Sequence, residues 1–318
     1  MTRPLISIVT PAHNEEGNLA RLVSEIEVAM SELDVDHELI IVDDGSADNT
    51  ADVARALALA SDHVRFVRLS RNFGHQPALL AGLRASVGDA VVMMDSDLQH
   101  PPSLIPALIA RWQSGSDIVH TIRSDSDDTG AIKSLTSRWF YKFFRAQSGV
   151  DLVDGMADFR LVSRAALEPV ISSGEYRIFL RGMFVWIGFE QSMIEYEAAS
   201  RNAGASSYNP IRMLRLASRG MFGFSEKLMT WVTWLGLVTS GFAFAYALYV
   251  VGVKVLSDET VPGWASLTAI TSLMFGVLFL FLGVLGGYVA AIYQEVRGRP
   301  PYIVAEEVGT TRRNRDAP

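Results

Sequence analysis

Ala90-Val91-Val92-Met93-Met94-Asp95-Ser96-Asp97 runs five apolar residues straight into two carboxylates one residue apart. A short apolar run bounded by turn residues reads as a buried strand. A D-x-D pair at its end then stands at a strand's carboxyl terminus, where open α/β sheets bind ligands. Hard divalent cations take such oxygen ligands and share them with substrate phosphates. One reading is therefore a metal-bridged diphosphate site on Asp95 and Asp97. The other is an ordinary polar turn, since Asp and Ser are common turn residues.

The same rhythm extends outward from this stretch. Residues 5–10, 39–42, 64–69 and 118–122 read as further strands. Between them, apolar residues recur at helical spacing: Leu19, Leu22, Val23, Ile26, Met30 and Leu33; then Val53, Ala56 and Leu57; then Leu79, Leu80 and Leu83; then Ile105, Leu108, Ile109 and Trp112. Such β-α alternation predicts an α/β fold with a mostly parallel sheet covered on both faces. Right-handed crossovers bring the strand carboxyl ends to one edge. No G-x-G-x-x-G follows the first strand and no G-x-x-x-x-G-K-[ST] occurs, which disfavours a dinucleotide-binding enzyme and a P-loop NTPase.

The loops at that edge are polar. They carry Pro11, Asn14, Glu15 and Glu16; Asp43, Asp44, Gly45, Ser46, Asp48 and Thr50; the run 71–76; and Asp95, Asp97, Gln99 and His100. Four successive strand ends delivering carboxylates and amides to one crevice exceed what stability alone demands. Individual members have plainer readings. Asp48 suits a helix N-cap, Pro101-Pro102 suits a helix start, and His75 and His100 read equally as ordinary loop histidines.

Composition narrows the class. The chain has 318 residues and no cysteine, which excludes disulfides, thiolate metal sites and cysteine nucleophiles. A formal net charge of −7 argues against nucleic acid as a partner. No charged residue occurs across 228–253 or across 261–294, and each stretch exceeds the ~20 residues that cross a bilayer as a helix. The connector 257–260 has no Lys or Arg. Arg212, Arg215, Arg219 and Lys227 precede the pair, and Arg297, Arg299, Arg312, Arg313 and Arg315 follow it. The positive-inside bias then places the large N-terminal part and both termini in the cytoplasm. Trp231, Trp234 and Trp264 fall near the span ends, as aromatic belts do. Gly283 and Gly287 form a G-x-x-x-G suited to helix packing and a homo-oligomer. The first residues show no signal peptide. Residues 209–229 mix apolar and basic residues, as an interfacial amphipathic helix or a plain juxtamembrane helix would. The Asp- and Ser-rich stretch 124–130 reads as a mobile loop or a solvated linker.

Several runs carry a family resemblance: Pro11-Ala12-His13-Asn14-Glu15-Glu16; Val42-Asp43-Asp44-Gly45-Ser46 with Asp48 and Thr50; Ser70-Arg71-Asn72-Phe73-Gly74-His75-Gln76; Asp95-Ser96-Asp97-Leu98-Gln99-His100-Pro101-Pro102; Asp158-Phe159-Arg160; Arg201 with Gly204; and Gly298-Arg299-Pro300-Pro301-Tyr302. On these motifs the chain resembles the family-2 glycosyltransferases of GT-A fold over nearly its whole length. Within them it looks like the membrane-anchored polyprenyl-phosphate transferases of dolichol-phosphate mannose synthase and bacterial glucosyltransferase type. The resemblance implies a GT-A catalytic domain over 1–208, interfacial helices over 209–227, transmembrane helices over 228–256 and 261–294, and a cytoplasmic tail over 295–318. It implies that Pro11, Glu15 and Asp43 line the base and ribose pocket of a nucleotide sugar. Asp95 and Asp97 would hold Mg²⁺ or Mn²⁺, with Gln99 beside them. Arg123 and Arg138 would approach a polyprenyl phosphate, near Ser134 and Ser137, and Arg201 would face phosphate groups. Relatives often have Lys-Tyr where this chain has Ser207-Tyr208, so the acceptor role of that loop does not carry over.

The implied reaction displaces a nucleoside diphosphate from a sugar's anomeric carbon by the lipid phosphate, with inversion. Asp97, Arg123, Arg138 and Arg201 are the expected catalytic set, and UDP-glucose is the first choice of donor. GDP-mannose and other UDP-sugars stay open. A processive polysaccharide synthase would need many spans and a Q-x-x-R-W motif, which the chain lacks. A non-catalytic membrane scaffold of the same fold would sit more easily with loss of the D-x-D pair, which is present.

Overall fold

The computed structural model describes residues 3–124, 156–173, 179–197, 227–256 and 263–309. Ser134, Ser137, Arg138, Arg201, Gly204, Ser207 and Tyr208, and most of the 124–130 and 209–229 stretches, lie outside the described residues. In chain order the elements are β1 (Leu5–Ala12), α1 (Leu19–Ser31), β2 (Asp36–Asp43), α2 (Thr50–Ala60), β3 (Val64–Leu69), α3 (His75–Ala85) and β4 (Ala90–Met93). A single 3-10 turn (Pro102–Leu104) leads into α4 (Ile105–Gln113). Then come β5 (Ile118–Ser124), β6 (Met156–Ser163), α5 (Arg164–Ser172), α6 (Leu180–Trp186), β7 (Gln191–Glu197), the long α7 (Lys227–Leu256) and α8 (Trp264–Val296), and β8 (Val304–Val308).

The strands form one eight-stranded sheet in the order β7-β5-β6-β4-β1-β2-β3-β8. Four neighbouring pairs are parallel: β1 with β2, β1 with β4, β2 with β3, and β5 with β7. Three are antiparallel: β3 with β8, β4 with β6, and β5 with β6. The sheet is thus mixed, where the β-α rhythm predicts a mostly parallel one. The difference has two sources. β6 inserts between β4 and β5, and β8 closes the far edge from a segment with no strand signal of its own.

Packing follows the apolar periodicity. α1 buries Leu19, Leu22, Val23, Ile26 and Met30 on one face, and each fully buried aliphatic side chain contributes roughly 1.5–3 kcal/mol. α2 buries Thr50, Ala51, Ala54 and Ala58, while Val53 and Leu57 pack at its margin. Small residues let that helix lie close to the sheet.

At the amino-terminal edge of the sheet sits a buried polar cluster. Glu38 Oε1 accepts from Ser7 Oγ at 2.6 Å and from Val87 N at 3.0 Å. Its Oε2 lies 3.1 Å from Arg65 Nη1, which also donates to Ala85 O at 2.7 Å. Ser7 Oγ accepts from Gly88 N at 2.8 Å. At the other end of the sheet order, β8 is held by more than its ladder. Arg55 of α2 grips both Glu306 oxygens at 2.8 and 2.9 Å, and Ser70 N donates to Ile303 O at 2.9 Å.

The described residues fall into two units, the sheet with its helices and the long-helix pair. Within the second, Gly236 lets Phe281 approach so closely that a Cβ there would meet the ring at 2.5 Å. Among the described residues one helical stretch, Leu273–Val296, is long and apolar enough to cross a membrane, and the apolar run Trp234–Tyr246 in α7 is shorter.

Glu38→Ala leaves the Arg65 guanidinium buried without its counter-charge. Breaking a buried pair in this way costs roughly 3–5 kcal/mol, and thermal unfolding of the solubilised protein should show a drop of several degrees against wild type.

Candidate active site

The loops after β1 and β2 are clasped together. Asn14 adopts a left-handed conformation (φ 59°), which Asn tolerates better than most residues. Its backbone N donates to Ser46 Oγ at 3.0 Å and its Oδ1 accepts from Ala47 N at 2.9 Å. Glu15 N donates to Thr50 Oγ1 at 2.7 Å, and the Glu15 carboxylate accepts from Asn18 Nδ2 at 2.6 Å. Asp48 accepts from both Thr50 N (3.0 Å) and the Thr50 hydroxyl, but the N-cap of α2 is Asn49, so Asp48 lies one residue before the capping position expected of it. The β3 loop is tied in as well. Asp44 accepts from Phe73 N at 2.7 Å and Gly74 N at 2.8 Å. Burial raises the Asp44 carboxyl above its ordinary value, against those two bonds. Gly45 has φ +62°, and a Cβ there would stand 2.4 Å from the Arg71 carbonyl carbon; only glycine fits.

Asp43 is fully buried. Its Oδ1 accepts from Ser46 N at 3.0 Å, whereas Oδ2 has no hydrogen-bond partner and lies 3.5 Å from Arg68 Nε. A buried carboxylate oxygen with an ion-pair neighbour but no hydrogen bond is costly, which marks Asp43 as more than a packing residue.

The D-x-D segment is held in a strained form. Ser96 Oγ donates to Pro11 O at 3.0 Å, stitching it to the end of β1. Leu98 has φ 59°, a conformation that costs a non-glycine residue about 1–3 kcal/mol; its side chain packs on the core. The turn lets Gln99 return both its backbone N (3.0 Å) and its side-chain amide to the Asp97 carboxylate. Asp95 stands between two imidazoles, with His100 Nε2 3.3 Å from Oδ2 and His75 Nε2 3.5 Å from Oδ1. His100 Nδ1 lies 2.7 Å from Tyr196 Oη.

β6 completes the edge. It runs antiparallel to β4, with Arg160 opposite Met93, so its first residues arrive where β4 ends. Asp158 therefore faces the same crevice, 3.8 Å from His75 Nε2, and its Oδ1 lies 3.1 Å from Arg181 and 3.3 Å from Arg160. Burial alone would raise the Asp158 carboxyl, but the Arg181 and Arg160 guanidiniums hold it below the ordinary carboxylate range. Burial lowers the Arg160 guanidinium to about 10, with Asp158 opposing the shift, so the pair is ionised at neutral pH.

Of the expected site residues, Pro11, Glu15, Asp43, Asp95, Asp97, Gln99 and Arg123 all lie at the carboxyl ends of β1, β2, β4 and β5 or in the loops that follow. Arg138 and Arg201 lie outside the described residues. Sequence reasoning assigned no role to Asp158, Arg181 or Tyr196. The Asp158-Phe159-Arg160 run was the one available signal, and Tyr196 had none. Among the described residues no group of three or more His, Asp or Glu side chains is arranged to hold a metal by itself. Two hard carboxylates one residue apart nonetheless fit a cation of the Mg²⁺ type, which commonly takes one or two protein carboxylates and completes its shell with substrate phosphates and water.

A mixed α/β sheet ending β4 in a D-x-D pair is the architecture of a GT-A-like glycosyltransferase. Residues 7–171 match the model of glycosyl transferase family 2, and the chain belongs to that family. It is an enzyme that transfers sugars. It is 35% identical over 303 residues to the uncharacterized glycosyltransferase YkcC of Bacillus subtilis, covering 95% of this chain and 94% of that one. It is 36% identical to the SfII prophage-derived bactoprenol glucosyl transferase of Shigella flexneri, over 94% of this chain and 97% of that protein. The prophage bactoprenol glucosyl transferase homolog of Escherichia coli is 35% identical over 94% of this chain and 98% of its own. Among solved structures, glucosyl-3-phosphoglycerate synthase from Mycobacterium tuberculosis, crystallised with Mn²⁺ and UDP, is 24% identical. It covers 69% of this chain and 77% of its own with a TM-score of 0.46, too loose an overlap to transfer anything.

Beside the site, His120 on β5 is fully buried, its Nε2 3.0 Å from Gln191 Oε1. Burial, reinforced by the Arg160 charge, lowers it to about 4. A histidine depressed in the fold stays neutral there while the unfolded chain takes up a proton. Its contribution is present above the unfolded pKa of about 6.5 and is lost as pH falls from there toward 4, by up to roughly 3 kcal/mol. Denaturant melts across that window should show the loss, and His120→Gln should flatten it.

Proposed function

We propose that this enzyme moves a sugar from a nucleoside-diphosphate sugar, UDP-glucose by preference, onto the phosphate of a polyprenyl phosphate. The observation that carries the reading is the convergence at one sheet edge of the D-x-D pair, the fully buried Asp43, and Arg123 at the end of β5. The bactoprenol glucosyl transferases, matched over 94% of this chain, support the acceptor and the glucosyl donor.

The residues divide the work. Pro11, Glu15 and Asp43 line the base and ribose end of the donor. Asp95 and Asp97, with Gln99 bracing Asp97, hold Mg²⁺ or Mn²⁺. Such a cation, when bound, neutralises charge gathering on the leaving diphosphate. Asp158, kept ionised by Arg181 and Arg160, adds negative charge beside the sugar, where the anomeric carbon becomes electron-poor. The acceptor is a phosphate monoester whose second pKa is about 6, so its oxygen attacks without needing a strong general base. A phosphate oxygen bonds to the anomeric carbon, the bond from that carbon to the diphosphate breaks, and configuration inverts. Arg123, with Arg138 and Arg201 beyond the described residues, clamps the phosphates, a task suited to the planar guanidinium fork.

The lipid acceptor also accounts for the long helices. Large apolar side chains along α8, among them Leu278, Phe279, Leu282, Leu285 and Ile292, are 47–66% exposed, and hydrocarbon is what such a surface fits. We read α7 and α8 as two spans, with the N-terminal domain (1–208), the interfacial segment (209–227) and both termini on the cytoplasmic side by the Lys/Arg bias. Among the described residues nothing lies within 4 Å of where a Gly283 Cβ would stand, and we read this part of α8 as a contact face for a second copy.

The test is transfer of radiolabel from nucleotide sugars to organic-extractable polyprenyl phosphate by detergent-solubilised protein. UDP-glucose should label the lipid and chelation should stop it. Asp97→Ala should lose roughly 10²-fold or more in rate while melting like wild type. Arg123→Ala should raise the lipid KM by roughly tenfold and leave the donor KM alone. Transfer that survives both chelation and Asp97→Ala overturns the reading.

A further inference from the structure

We propose that His100 and Tyr196 are positioning residues that aim the Asp95 carboxylate at the metal, an inference that rests on the metal–diphosphate reading above. The two come from distant parts of the chain, 96 residues apart. His100 follows the D-x-D turn, and Tyr196 sits on β7, two strands beyond β6. Both are buried, at 9% and 5% exposure. Tyr196 Oη to His100 Nδ1 is 2.7 Å, and His100 Nε2 to Asp95 Oδ2 is 3.3 Å. The His100 ring is fixed by aromatic neighbours, with Phe159 at 5.3 Å and Tyr196 at 5.9 Å between centroids, and Phe159 in turn meets Tyr196 edge-on at 6.3 Å.

The chemistry gives this arrangement a direction. An ionised carboxylate only accepts, so the imidazole nitrogen facing Asp95 must carry the proton. With the proton on Nε2, Nδ1 becomes the acceptor for the tyrosine O–H. By donating to Nδ1, Tyr196 supports the tautomer that donates to Asp95. Replace the hydroxyl with hydrogen and Nδ1 loses its donor, which leaves Asp95 alone to hold the proton on Nε2. A carboxylate oxygen that accepts one N–H keeps another lone pair for a cation, and such supporting bonds raise a ligand's order and its affinity. Because Tyr196 is the register partner of Arg123 across β5 and β7, removing only its hydroxyl leaves the backbone that carries Arg123 in place.

The experiment measures Mn²⁺ binding to the full-length, detergent-solubilised protein with saturating UDP, by electron paramagnetic resonance, alongside steady-state kinetics. Tyr196→Phe should weaken Mn²⁺ by roughly tenfold and His100→Leu by up to about 100-fold. His100→Gln, whose amide restores a donor, should fall between His100→Leu and wild type. The Mn²⁺ requirement for transfer should rise in parallel, with the lipid KM unchanged. Should Asp95→Asn lose Mn²⁺ while Tyr196→Phe and His100→Leu bind it as wild type does, the positioning role is overturned and the metal site stands. Should wild type take up no Mn²⁺, or Asp95→Asn bind it undiminished, the metal site itself falls and this role with it.

Discussion

Parallel pairing of β4, β1, β2 and β3 is the constraint from which the site follows. Strands that run the same way must end on the same edge, and each crossover helix returns the chain to the opposite edge before the next strand begins. Pro11, Asp43, the 71–74 loop and Asp95 are therefore neighbours by topology, before any side chain touches another. The antiparallel entry of β6 beside β4 uses the complementary rule. An antiparallel neighbour starts where its partner stops, so Asp158 joins the crevice from a strand whose beginning, not its end, lies there.

The two edges of the sheet spend their polar groups differently. At the amino-terminal edge, Glu38, Arg65, Ser7 and the backbone of Val87 and Gly88 satisfy one another inside the protein, as a purely structural polar cluster must. At the carboxyl edge the same chain tolerates a buried Asp43 oxygen without a hydrogen bond and two non-glycine residues, Asn14 and Leu98, in left-handed conformations. It also places Asp95 and Asp158 on either side of His75. Local rules are broken where function resides, and the breaches fall on the same loops that the D-x-D pair marks.

What could be read from the sequence divides along this line. Apolar runs of adequate length announced β1 to β5, and three of those strand ends led directly to Pro11, Asp43, and the pair Asp95 and Asp97. β8 was not legible, because Val304-Ala305-Glu306-Glu307-Val308 is too polar to signal a strand. It becomes one through the free edge of β3 and the grip of Arg55 on Glu306. β6 was visible only as a motif, and its insertion between β4 and β5 turned an expected parallel sheet into a mixed one. Tyr196 could not be found at all: its meaning lies in a hydrogen bond to a histidine 96 residues earlier, and no local pattern encodes a contact of that range. The helix α1 was read to its buried face, whereas α2 packs on alanines that periodicity passed over in favour of Val53 and Leu57.

On the proposed reading, the scarcity of protein ligands is itself part of the mechanism. Two carboxylates from one turn would leave much of a hard cation's shell to water and to phosphate oxygens of the donor. Asp95 and Asp97 would then hold the cation best with the nucleotide sugar in place, where it would offset the charge of the diphosphate. The acceptor side needs the opposite provision. A lipid phosphate already carries the negative charge that a hydroxyl nucleophile would have to acquire by losing a proton, so the obstacle is repulsion between two anions. Arginines at the end of β5 and beyond answer repulsion where a base would answer protonation. The sheet edge thus separates two electrostatic tasks in space: carboxylates gather a cation on the donor side, and guanidiniums gather an anion on the acceptor side. The sugar passes between them.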